Sequence, residues 1–174
     1  MKTLLNLHGL FEEPENFNYK ILNDAFFNKL EIISPSIDFE GNPYSILEML
    51  RVKDFDLIVA NSFGGFFGYI FSSIMDVPAI LCSPCIPPED YILDLVPNYR
   101  YIEDLKDLWN KHKNSNSKIV SILGQNDAVI DPHKTAYLFH IENKPVYTVN
   151  EGHKLCGPTF EYILKYEVSR CLDI

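Results

Sequence analysis

Six short apolar runs punctuate the chain: Thr3–Leu7, Glu31–Ser34, Leu57–Ala60, Ala79–Ser83, Ile119–Gly124 and Val146–Val149. Most lack strict polar–apolar alternation, as expected of strands covered on both faces in a parallel sheet. Segments with helical spacing lie between them. Residues 17–28 carry Ile21, Leu22, Ala25 and Phe26 on one face, and 43–51 start with Pro43 just inside the helix and continue with Ile46, Leu47 and Leu50. Residues 64–75 are apolar nearly all round and predict the most deeply buried helix. Asp131-Pro132 reads as the cap and first residue of a helix over 132–139, and Gly157-Pro158 opens a last helix through Leu172. The alternation predicts an α/β fold, a mainly parallel six-stranded sheet with helices on both faces, in one domain spanning 1–174. Residues 86–116 break the rhythm. They hold Tyr91, Leu95, Tyr99, Tyr101 and Trp109, and they predict a partly helical excursion over the crevice at the carboxyl ends of the strands.

Composition narrows the function classes. Apolar residues make up 47% and charged residues 22%, values of an ordinary soluble chain. No apolar run approaches the ~20 residues of a membrane span. The start, Thr3-Leu4-Leu5-Asn6-Leu7, is too short and too interrupted for a secretion signal, so a cytoplasmic protein with no membrane partner is expected. The net charge is −9 and the basic residues are scattered, so the stripe a nucleic-acid surface needs is missing. The four cysteines, Cys82, Cys85, Cys156 and Cys171, read as free thiols. Cys82, Cys85, His153 and Cys156 have the spacing of a four-ligand metal set, against which Cys82 ends an apolar run and reads as core. No metal or other cofactor is expected.

The chemistry is concentrated where the third apolar run ends: Ala60-Asn61-Ser62-Phe63-Gly64-Gly65. A serine on a sharp strand-to-helix turn is a nucleophile elbow, whose strained backbone requires small neighbours two residues to either side. Ala60 replaces the usual glycine and is still small. In this arrangement the acid and then the histidine follow the serine in chain order. His153 lies just past the last strand, where a loop can carry an imidazole over the sheet edge, whereas His133 and His140 fall in a helical segment. Asp127 follows the fifth strand and a glycine turn, which makes it the favoured acid. Asp131 is explained by capping, and Glu89 or Asp90, after the fourth strand, stay open. Two backbone N–H groups should bind the oxyanion, one from Phe63 and one from Leu10, whose turn Gly9 permits. His8 precedes the serine and reads as a loop-shaping hydrogen-bonding residue. An apolar acyl pocket is expected from Phe11, Phe63, Phe66 and residues such as Tyr91.

The segments TLLNLHGL, ANSFGGFFG, GQNDAVID and EGHKLCG together resemble the YqiA-like esterases, small single-domain members of the α/β-hydrolase superfamily. The resemblance runs from Thr3 to the last helix. It implies Ser62 as nucleophile, Asp127 as acid and His153 as base, acting without a cofactor on small carboxylic esters or thioesters. The chain departs from the family at Ala60, and at Glu151-Gly152-His153, where an aspartate often precedes the histidine. The alternative function is a binding module that keeps a hydrolase scaffold without physiological turnover.

Overall fold

Each apolar run forms a strand in the computed structural model, which describes residues 1–174. The strands are β1 (Lys2–Leu7), β2 (Leu30–Ile33), β3 (Leu57–Asn61), β4 (Ala79–Cys82), β5 (Ile119–Gly124) and β6 (Val146–Val149). They pair in the order β2-β1-β3-β4-β5-β6, every pair parallel. Parallel neighbours need crossovers, which is why helices alternate with the strands. These are α1 (Phe17–Ala25), α2 (Pro43–Leu50), α3 (Ser62–Met75), α4 (Ile92–Leu95), α5 (Ile102–His112), α6 (Pro132–Ile141) and α7 (Pro158–Leu172).

Side chains on a strand alternate between faces, and both faces are apolar here. Leu5, Leu7, Ile58 and Ala60 join a core shared with α2, α3 and α5, while Leu4, Leu57, Val59 and Ile80 join a second core closed by α1 and α7. Helix α3 is buried from Ser62 through Ser72, so it is packed on all sides rather than along one stripe. The chain leaves β1 for β2 on one side and returns to β3 on the other. Loops that diverge at such a switch point open a crevice at the carboxyl ends of the strands. The loop after β1 and the turn after β3 border it.

Element boundaries depart from the periodicity where local chemistry outweighs it. Helix α1 stops at Ala25, and Asn28 turns the chain with a left-handed φ of 63°. Helix α3 starts at the serine itself, two residues before its predicted start. The 86–116 segment divides in two. Residues 88–95 form a 3₁₀ turn and the short α4, whereas α5 is the β4-to-β5 crossover helix, a full member of the layer covering the sheet. Its Leu105, Leu108 and Trp109 are buried, with Trp109 set edge-on to Tyr69 of α3 at 5.1 Å between ring centroids. No helix is long and apolar enough to cross a membrane.

Candidate active site

Strand β3 ends at Asn61, and Ser62 takes a left-handed φ of 50° before α3 begins. For a residue with a side chain this conformation costs about 1–3 kcal/mol and persists only where the surroundings enforce it. Here they do. The Ser62 carbonyl accepts the Cys85 N–H at 2.9 Å. A Cβ on Gly64 would lie 2.1 Å from the His8 carbonyl oxygen, so only glycine lets α3 start against the end of β1. One turn on, a Cβ at position 68 would stand 2.7 Å from the Ala60 methyl, so Gly68 is what makes room for alanine two residues before the serine.

Ser62 Oγ lies 2.9 Å from His153 Nε2, and His153 Nδ1 lies 2.8 Å from Asp127 Oδ2. The Asp127 side chain is 2% exposed and that of His153 is 26% exposed. The other Asp127 oxygen accepts the Val129 and Ile130 N–H groups at 2.8 and 2.9 Å. Burial alone would raise the carboxyl pKa. The hydrogen bonds from His153, Ile130 and Val129 outweigh burial and hold it below its ordinary value. An ionised carboxylate only accepts, so Nδ1 carries the imidazole proton and Nε2 is left to accept the Ser62 hydroxyl. The acid and histidine loops approach closely: a Cβ on Gly124 would meet the Gly152 carbonyl at 2.1 Å.

Other candidates lie elsewhere. Asp131 caps α6 through the His133 and Lys134 N–H groups, Asp90 pairs with Lys134, and Glu89 belongs to the 3₁₀ turn. His133 and His140 lie on α6. His8 donates from Nδ1 to the Gly9 carbonyl at 2.8 Å and accepts the Ile37 N–H at Nε2, a loop-shaping pattern. Leu10 N–H has no acceptor within the chain, and Phe63 N–H sits in the first turn of α3, where helix amides lack intrahelical partners. The metal set is not assembled. Cys82 faces the α1–α7 core and Cys85 the opposite one, Cys156 is exposed, and His153 is bonded to Ser62 and Asp127. Burial pushes the Cys82 thiol up to about 12 and the Cys85 thiol higher still.

One member of the expected acyl pocket, Phe66, requires correction. Phe66 is fully buried, stacked on Phe63 at 6.1 Å and edge-on to Phe67, so it is core. Phe11 has a left-handed φ of 63° and stands 79% exposed, and Tyr91 is half-buried where α4 begins. An aromatic on a helix covered from every side looks the same in sequence whether it lines a pocket or fills a core. A polar cavity of about 280 Å³ lies on the Asn61 side of the elbow, between Glu12, Asn16, Phe17, Asn61, Lys154 and Leu155.

Two carboxylates escape a reading of the sequence. Glu12 gathers the Gly9 N–H and the Asn61 side chain. Glu151 accepts the Cys156 and Gly157 N–H groups at 2.6 and 2.8 Å, fastening the histidine loop to the start of α7. The Gly157-Pro158 helix start, six residues after Glu151, is the available signal for that cap. Glu12 has none, because its partners meet only in three dimensions.

No family model matches the chain, and none of the curated proteins does. Solved structures do. Est1E from Butyrivibrio proteoclasticus superposes with a TM-score of 0.74 at 12% identity, over 99% of this chain and 89% of that one. An α/β-hydrolase enzyme from the sediment metagenome of the Mar Chica lagoon gives 0.70 at 14% identity, over 99% and 92% of the two chains. This is the α/β-hydrolase fold. The esterase domain of a Rhodothermus marinus protein agrees, with a TM-score of 0.67 at 12% identity, covering 97% of this chain and 85% of that one. In this chain the turn after β3 holds Ser62, and the His8–Leu10 loop follows β1.

Proposed function

We propose that the chain is a serine hydrolase, a YqiA-like esterase that cleaves small carboxylic esters or thioesters. The observation that carries this reading is the continuous contact from Ser62 Oγ through His153 to the buried Asp127 carboxylate, at 2.9 and 2.8 Å. Ser62 Oγ attacks the carbonyl carbon while His153 Nε2 takes its proton. Negative charge gathers on the carbonyl oxygen, which the Phe63 and Leu10 N–H groups receive at the positive end of α3. His153 returns the proton to the departing alcohol or thiol, then activates the water that releases the acid from Ser62. Asp127 holds the imidazole in the tautomer that accepts at Nε2 and stabilises the imidazolium.

The burial of Phe66 withdraws one aromatic from the expected acyl pocket and favours short acyl groups over long ones. On this reading 1–174 act as one hydrolase domain, and the 86–101 stretch borders the crevice, with Tyr99 edge-on to Phe63 at 6.1 Å. Four unpaired cysteines suit a reducing, cytoplasmic setting. Stopped-flow hydrolysis of p-nitrophenyl butyrate tests the reaction class. The expected result is p-nitrophenol release dependent on Ser62, declining from butyrate to longer esters. Release that survives Ser62→Ala contradicts the proposal, and a binding module would release none.

A further inference from the structure

One carboxylate joins the two segments that carry the proposed oxyanion donors, and its role depends on the chain being a hydrolase. Glu12 Oε2 accepts the Gly9 N–H at 2.7 Å, and its two oxygens accept the Asn61 side-chain amide at 2.9 and 3.0 Å. Asn16, the N-cap of α1, approaches the same oxygen at 3.4 Å. Gly9 precedes Leu10 and Asn61 precedes Ser62, so Glu12 bridges the loop after β1 to the elbow. The bridge sits close to the reacting group: the point a Gly9 Cβ would occupy is 3.0 Å from Glu12 Oε2 and 3.0 Å from Ser62 Cβ.

The peptide that bears the Leu10 N–H is gripped from its other end as well. Its carbonyl, that of Gly9, accepts His8 Nδ1–H at 2.8 Å and the Glu12 N–H at 3.2 Å. The Ile37 N–H on His8 Nε2, at 3.1 Å, requires that nitrogen to be the acceptor and leaves the proton on Nδ1. In a trans peptide the N–H points opposite to the carbonyl, so fixing the Gly9 carbonyl fixes the direction of the Leu10 N–H. Bonds donated to that carbonyl also polarise the peptide and strengthen its N–H as a donor.

We propose that Glu12 is a positioning residue that locks the His8–Leu10 loop to the elbow and aims the Leu10 N–H at the oxygen that becomes negative in the transition state. A carboxylate suits the task because both oxygens only accept, and three donors converge on it. Glutamine has the same size but offers one acceptor and turns donor hydrogens toward donors.

The test compares Glu12→Gln and Glu12→Ala with the wild type on p-nitrophenyl butyrate, each normalised to sites counted by phosphonate titration. The isosteric Gln variant keeps the test open where Ala impairs folding. Expected is a fall in kcat of about 10- to 100-fold, less than outright loss of a donor, with KM within about twofold. The Ki of a trifluoromethyl ketone, which forms an oxyanion on Ser62, should rise by the same factor. Asn61→Ala breaks the same bridge, so adding it to Glu12→Gln should cost little more. Unchanged kcat per counted site and unchanged Ki, with only a lower Tm, overturn the inference and leave the hydrolase reading intact. Absence of both turnover and labelling in the wild type overturns the two together.

Discussion

Two of the hydroxyls on helix α3, those of Ser62 and Tyr69, are each set beside a carboxylate and a basic side chain, and the two clusters differ in the features that matter for reactivity. At its first residue Ser62 points to His153 Nε2, a base with a free lone pair, and the carboxylate stands behind that base. Two turns on, Tyr69 donates to the carboxylate itself, Glu142, at 2.6 Å. Burial and Glu142 push the Tyr69 phenol far above its ordinary pKa, so it keeps its proton. The base there, Lys144, is held by Glu142 at 2.8 Å and by the Ser115 carbonyl at 2.6 Å, while the Asn114 N–H completes Glu142 at 3.1 Å. Both charged side chains are only 5% exposed, against 26% for His153. A hydroxyl, a basic side chain and a carboxylate therefore make a candidate reaction centre in one place and a closed structural knot in the other. Order decides it: hydroxyl to base to acid leaves a proton path, whereas hydroxyl and base both bound to the acid leaves none.

The largest expected effect breaks the first cluster. Ser62→Ala should lower kcat about 10⁴- to 10⁶-fold, and adding His153→Ala should lower it little further, because such groups act as a unit. Steady-state rates on p-nitrophenyl butyrate read both variants. Asp127→Asn should cost about 10⁴-fold in kcat with little change in Tm, since the amide favours the wrong imidazole tautomer. The second cluster should respond the opposite way. Glu142→Ala leaves Lys144 buried without its partner and should destabilise by about 3–5 kcal/mol in urea unfolding, with kcat per folded molecule unchanged. Gly68→Ala sets a methyl 2.7 Å from that of Ala60, and should cost about 1–3 kcal/mol of stability by overpacking the elbow.

The smallest effect is on pH dependence. The Asp127 pKa is depressed in the folded chain, so its contribution to stability is present above the ordinary aspartate value, about 3.9, and is lost as pH falls through the folded value. Asp127 is thereby kept ionised at neutral pH, so kcat/KM should decline toward acid as a single proton uptake at the base that accepts the Ser62 proton, with no second uptake at the carboxylate. A two-proton decline in the pH–rate profile would place Asp127 in the titration and contradict the depressed value.

How much of this is legible in the chain depends on the range of the forces involved. The strands are plain because both faces are buried, leaving unbroken runs such as Leu57–Ala60. The elbow is plain because its demand for small residues at Ala60 and Gly64 is local. Helix α5 is hard to place because Leu105, Leu108 and Trp109 are diluted by charged neighbours and follow an aromatic, proline-containing loop. Phe66 reads as pocket because periodicity reports that a residue is covered without reporting what covers it. Glu12 is invisible because its partner Asn61 lies 49 residues away, brought near only by the β1–β3 pairing.

The mechanism stands or falls on Ser62 being a nucleophile activated by His153. Intact-mass labelling with a fluorophosphonate, followed by peptide mapping, reads that property without a substrate having to be guessed. One adduct per chain is expected, on Ser62, formed slowly or not at all in His153→Ala. An adduct elsewhere, or an unlabelled Ser62 in folded protein, would contradict it.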